Sequence, residues 1–205
     1  MRKKLIILGS FFVVLVLSFW YFLFRDNDYS RVKLPVLNNV QNFAFINQDG
    51  KMIDTKSVYG KVYVAEYFFT TCKGICPIMN ENMKKVYAKF KDNKDFVILS
   101  HTCMPETDSV PLLKAYQKKM LGDPPTEGSQ WYFLTGTKKA LYKMARESYL
   151  LDNPKNNTGN IDEQFIHTQF FALVDKEQRV RGIYDALKSD ELDKLMTDIQ
   201  GLLSE

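Results

Sequence analysis

The stretch 61-KVYVAEYFFTTCKGICP-77 decides how the rest of the chain is read. Lys61 to Phe69 is rich in Val and aromatic residues and follows Gly60, the pattern of a buried strand. Pro77 suits the first turn of a helix, and Met79, Met83, Val86, Tyr87 and Phe90 then recur at helical spacing. Cys72 and Cys76 therefore fall between the carboxyl end of a strand and the start of a helix. Unpaired backbone N–H groups and the positive end of the helix dipole favour thiolate over thiol there. The pair is thus suited to metal binding or disulfide exchange. The chain has only three cysteines and two histidines, so two thiols four residues apart stand out from background.

Outward from this segment, Phe43 to Ile46 and Lys51 to Ile53 predict a hairpin closed at Asp49-Gly50. Asp95 to Ser100 reads as a strand and Ser109 to Met120 as a helix. After a Gly/Pro loop from Gly122 to Gly128, Trp131 to Leu134 reads as a strand and Thr137 to Glu147 as a helix. Asp152 to Asp162 reads as loop. Gln169 to Asp175 and Val180 to Tyr184 form a hairpin around Lys176 and Glu177, and Ser189 to Leu203 a closing helix. This alternation implies an α/β sheet with helices on both faces. Its order is that of a thioredoxin-like fold with an N-terminal β-hairpin extension and an inserted strand and helix. Sites in such sheets lie at the carboxyl ends of strands, where the cysteine pair falls.

Leu5 to Phe24 is a run of 20 residues without a charge. About 20 apolar residues span the hydrocarbon core as a helix, whereas a signal peptide has an apolar core of about 7 to 15. The run ends in bulky Trp20, Tyr21, Phe22 and Phe24, so an uncleaved signal anchor is expected, with its aromatic end at the membrane interface. Arg2, Lys3 and Lys4 before the span set the N-terminus in the cytoplasm. The expected layout is a cytoplasmic N-terminus over 1–4, a transmembrane helix over 5–24, a linker over 25–39 and one domain over 40–205. A bacterial inner-membrane protein with its C-terminal domain in the periplasm fits this layout. The net charge of +4 includes those three flanking cations; without them 25 basic residues face 24 acidic ones. With no basic stripe interleaved with aromatics, nucleic acid is not an expected partner.

The choice between metal and redox chemistry turns on a third group. Thioredoxin-type reductases resemble one another in a cis-proline opposite the cysteines, just before the closing hairpin. Here that segment reads Phe165-Ile166-His167-Thr168-Gln169, and no proline follows Asn156. Two thiolates and an imidazole suit Cu(I), and with a further weak ligand Cu(II). Zinc fits by ligand type, although structural zinc sites normally have four protein ligands.

Phe69-Thr70-Thr71-Cys72-Lys73-Gly74-Ile75-Cys76-Pro77, then Ser100-His101-Thr102 through Pro105-Glu106-Thr107-Asp108, and His167 followed by Phe171-Ala172-Leu173-Val174-Asp175, resemble the successive signatures of the Sco/SenC family. The resemblance covers about residues 40 to 203. It implies a membrane-anchored, thioredoxin-like protein that binds copper and helps assemble the CuA centre of cytochrome c oxidase. It also implies Cys72, Cys76 and His167 as copper ligands. The partner would then be the CuA-bearing subunit of the oxidase or another cuproprotein. Two departures stand out. Ile166 occupies the place where the family often has an aspartate before the histidine, and Cys103-Met104 replaces a Val-Asp-like pair. Cys103 is expected to be an incidental small hydrophobe, and Met79 and Met83 to be core residues.

The alternative function is a thiol-disulfide oxidoreductase that reduces a partner's metal-site cysteines through Cys72 and Cys76 alone. A peroxidase is disfavoured. The Pro-x-x-x-Thr/Ser-x-x-Cys segment in which peroxiredoxins resemble one another does not lead into Cys72.

Overall fold

The computed structural model describes residues 2–24, 33–122, 130–156, 159–166 and 168–205. The chain divides into two compact units, Met1–Lys33 and Leu34–Glu205. In the first, helix α1 (Arg2–Phe24) contains the one segment among the described residues, Lys4–Tyr21, that is long and apolar enough to cross a membrane. The Gly122–Gly128 loop from its second residue onward, and the linker over 25–32, lie outside the described residues.

The second unit is built on one sheet. Its strands are β1 (Asn38–Asn39), β2 (Ala44–Asn47), β3 (Met52–Asp54), β4 (Val62–Phe68), β5 (Phe96–Thr102), β6 (Trp131–Thr135), β7 (Phe170–Val174) and β8 (Arg179–Asp185). They lie in the order β1-β8-β7-β4-β5-β6-β2-β3. β4, β5 and β6 are parallel, and the other pairings are antiparallel. The predicted N-terminal hairpin forms, turning at Gly50 in the left-handed region (φ 72°), joins the sheet through β6 and runs into the short helix α2 (Thr55–Val58). The fold is thioredoxin-like α/β, with that hairpin as an edge extension.

All seven residues of β4 and all seven of β5 are buried, as expected of central strands covered on both faces. Val62, Val64 and Phe68 face helices α3 (Cys76–Phe90), α4 (Val110–Leu121) and α6 (Ser189–Leu203), where they meet Met79, Met83, Leu113 and Leu195. Tyr63, Ala65 and Tyr67 face the other way, toward Leu141 and Tyr142 of helix α5 (Lys138–Lys143) and toward Phe45 and Tyr149. Met79 and Met83 are core residues, 1% and 0% exposed, as their spacing predicts.

Three expectations need correction. The helix predicted over Thr137–Glu147 is α-helical only to Lys143 and continues as a π turn, Met144–Ser148, which buries Met144, Ala145, Arg146 and Ser148. The loop over Asp152–Asp162 contains 3-10 turns at Pro154–Asn156 and Ile161–Glu163. The linker expected over 25–39 ends earlier, because the compact unit begins at Leu34 and Asn38–Asn39 pair with Val180 and Arg179. The residues that hold this segment are polar: Asn38 Nδ2 donates to the carbonyls of Glu147 (2.6 Å) and Ser148 (3.0 Å), and Arg181 donates to those of Leu34 and Pro35. A segment fastened by hydrogen bonds has the composition of a linker.

Candidate metal and dithiol site

β4 ends at Phe68, and a loop over 69–75 leads into α3, whose first residue is Cys76 with Pro77 next. The backbone of Cys72 donates to Phe69 O (3.2 Å), which turns the loop back on itself. Thr70 anchors it: its N–H (3.1 Å) and its hydroxyl (2.5 Å) both donate to Asp108, a buried side chain just before α4. Thr102, the last residue of β5, donates to the same carboxyl group at 2.5 Å.

Cys72 is half-buried, Cys76 is buried at 4% exposure, and both are free thiols. The expectation of a helix-favoured thiolate fails for Cys76. Burial pushes its thiol well up, the contact with Cys72 adds to the shift, and a backbone hydrogen bond at Phe69 only partly opposes it. Desolvation outweighs the helix end here. Burial favours the thiol form of Cys76, which must give up its proton as a soft metal binds or a disulfide forms, so metal affinity rises with pH.

Cys103 follows β5 and is also buried. Its thiol donates to Phe68 O (3.3 Å) while its N–H donates to the same carbonyl (2.9 Å). Burial first, and then Asp108, push this thiol up to about 12, so it packs as a small hydrophobe, as expected. His101 is enclosed on the face away from α3. Its ring stacks on Tyr67 at 5.2 Å, and Phe45 and Tyr149 approach it at 5.3 and 5.4 Å. That enclosure removes it from any ligand set at the rim.

His167 lies outside the described residues. The chain leading to it is tied to the dithiol end of the sheet through Tyr142. That hydroxyl is placed to donate to Cys103 O (2.9 Å) or Gln164 O (3.2 Å) and accepts from Ile166 N (3.4 Å). Phe165 packs edge-on against Phe69 at 5.5 Å. Residues 164–166 therefore stand beside Phe69, where the loop that carries Cys72 begins.

Behind Cys76 lies a buried polar cluster that sequence reasoning missed. Glu66 accepts from Ser100 (2.5 Å), which accepts in turn from Trp131 Nε1 (2.8 Å). Asn80 donates to the Tyr116 hydroxyl. Glu66 Oε2 and Asn80 Oδ1 have no partner among the described residues. A lone acid inside the apolar run VYVAEYFF was the available signal for this cluster.

The sequence model of SCO1/SenC matches residues 35–204. The chain belongs to the SCO1/SenC family. It is 30% identical over 174 residues to the SCO1 protein homolog of Bacillus subtilis (strain 168), covering 83% of this chain and 86% of that protein. Among solved structures, it is similar to BsSco, a member of the Sco family of cytochrome c oxidase assembly proteins in which a disulfide switch was identified. That match has 29% identity and a TM-score of 0.65, covering 83% of this chain and 97% of that one. ScoI of Bradyrhizobium japonicum, solved with copper bound, shares the fold at 20% identity and a TM-score of 0.61, over 80% and 98% of the two chains.

Proposed function

We propose that this SCO1/SenC protein is a membrane-anchored copper carrier that delivers copper to, or matures, the CuA centre of cytochrome c oxidase. The observation that carries the reading is the free dithiol: Cys72 and Cys76, one half-buried and one buried, stand between the carboxyl end of a central strand and the first turn of helix α3 in this family's fold. Copper is the cargo. Cys72, Cys76 and His167 are its ligands, a soft set suited to Cu(I) and able to hold Cu(II). Delivery proceeds by ligand exchange, with the partner's thiolates replacing these ligands one at a time, so the half-buried Cys72 is the natural point of entry. Copper titration of the domain tests this. One copper per chain is expected, lost in Cys72→Ser, Cys76→Ser and His167→Ala. Tight binding that survives His167→Ala would sink the three-ligand assignment.

The free dithiol also supports a second reading, thiol-disulfide exchange with a partner's metal-site cysteines and no copper carriage. If exchange rates in His167→Ala stay unchanged while oxidase assembly fails, delivery is favoured; if assembly survives, exchange is. The anchor reading rests on α1. It places 1–4 in the cytoplasm, 5–24 across a bacterial inner membrane and the folded domain in the periplasm. Protease added to spheroplasts should digest the domain, and its protection would contradict this topology.

A further inference from the structure

We propose that Asp108 is the positioning residue that sets Cys72 against Cys76. The two thiols are held by different parts of the fold. Cys76 belongs to α3, which is locked to the sheet by Met79, Met83 and Val86, all at or below 1% exposure. Cys72 sits on the loop over 69–75, with no secondary structure of its own. Among the described residues, the side-chain hydrogen bonds that reach residues 70–75 from outside that loop all run from Thr70, through its N–H and its hydroxyl, to Asp108.

Asp108 is itself fixed from the far side. Its N–H donates to Met104 O (2.9 Å), Thr102 donates to its carboxyl group, and the Thr102 hydroxyl accepts from Met104 N (2.9 Å). The carboxyl group therefore bridges the end of β5 and the start of the cysteine loop, two residues before Cys72. Asp108 is fully buried and Thr70 half-buried, so water can replace only part of what the Thr70 donors lose. Loss of this bridge lets Cys72 wander while Cys76 stays put. The effective concentration of one thiol at the other falls, and with it the stability of any bond that needs both.

The inference rests on the dithiol half of the proposed function, and its test uses no copper. Oxidised glutathione takes two electrons from the pair: Cys72–SH and Cys76–SH become a disulfide, and each of the two released protons goes to one glutathione thiolate, giving two reduced glutathiones. The equilibrium constant of this exchange is measured for the wild-type chain, Asp108→Ala, Asp108→Asn, Thr70→Val and Thr102→Val, with a thermal melt for each. Asp108→Ala is expected to weaken the protein disulfide by about tenfold or more, and Thr70→Val by several-fold. Asp108→Asn keeps an acceptor for the Thr70 N–H and should recover most of the wild-type constant. Thr102→Val removes two bonds, both on the scaffold side, so it should lower the melting temperature while leaving the constant within about twofold.

If Asp108→Ala does not fold, Thr70→Val carries the test. An unchanged constant in folded Asp108→Ala or in Thr70→Val overturns the proposal, as does a Thr102→Val shift as large as that of Thr70→Val. Failure of the wild-type chain to bind copper bears on the proposed function and leaves this result intact.

Discussion

Glu66 and His101 occupy neighbouring positions on β4 and β5, where Glu66 pairs with Ser100 and Tyr67 with His101, yet they bury their side chains on opposite faces of the sheet. Each is fully buried and each leaves one polar atom, Oε2 or Nε2, without a partner among the described residues. On the α3 face, burial pushes the Glu66 carboxyl from an ordinary 4.5 up to about 7, against the opposing hydrogen bond from Ser100. On the aromatic face, burial pulls the His101 imidazole from 6.5 down to about 4, against the opposing carbonyl of Leu99. The same cause moves an acid and a base in opposite directions toward the same neutral state. Burial thus favours the uncharged form at both positions, and the rim is left to hold a cation.

The largest expected effect tests which face serves the metal. His101→Leu should keep one copper per chain, whereas Cys76→Ser should bring it to none, measured as metal content after gel filtration. Loss of copper in folded His101→Leu would break the distinction between an enclosed histidine and the rim ligands.

Next in size is the pH dependence from Glu66. The unfolded carboxyl gives up its proton near 4.5 and the folded one near 7, so between those values the folded state binds more protons and stability falls as pH rises. The loss across that window is about 3 kcal/mol. Glu66→Gln removes it, so denaturant unfolding should show the variant more stable than wild type by about that amount at pH 8 and little different at pH 4.

His101 supplies the opposite slope. The unfolded imidazole binds a proton near 6.5 and the folded one only near 4, so stability falls as pH drops through that window, again by about 3 kcal/mol. His101→Leu loses the stacking on Tyr67, worth about 1 kcal/mol. Its net gain at pH 4 should therefore be nearer 2 kcal/mol, turning into a loss of about 1 kcal/mol at pH 7.

Much of this fold was legible because apolar periodicity reports what a segment buries. β4, α3, the β7–β8 hairpin and α6 came within a residue or two of the expected bounds, since Val62–Phe68 and the Met79/Met83 face have nowhere to go but the core. The cysteine pair was legible for a different reason, the scarcity of its residue types. What stayed hidden was held by polar contacts between residues far apart in sequence. Asp108 on Thr70, Tyr142 on Cys103 and Ile166, and Glu66 on Ser100 leave no periodic trace. The thiolate expectation failed at Cys76 for a related reason. A helix start is visible in sequence, but the burial that overrides it depends on what packs above the thiol.

The segment 34–39 is the smallest of these cases. Asn38 gives it a two-residue strand on β8 and two amide bonds to the end of the π turn, at Glu147 O and Ser148 O, while Gln41 N donates to Ser148 Oγ at 3.1 Å. The first of these bonds is exposed and the second part-buried, so water can replace much of what is lost. Asn38→Ala should therefore cost only about 1 kcal/mol. Hydrogen exchange would localise the loss, with faster exchange at Leu37 and Val40, whose N–H groups donate to Val180 O and Gln178 O. A cost near zero with unchanged exchange would return Asn38 to the linker, and the folded unit would then begin at the β2–β3 hairpin.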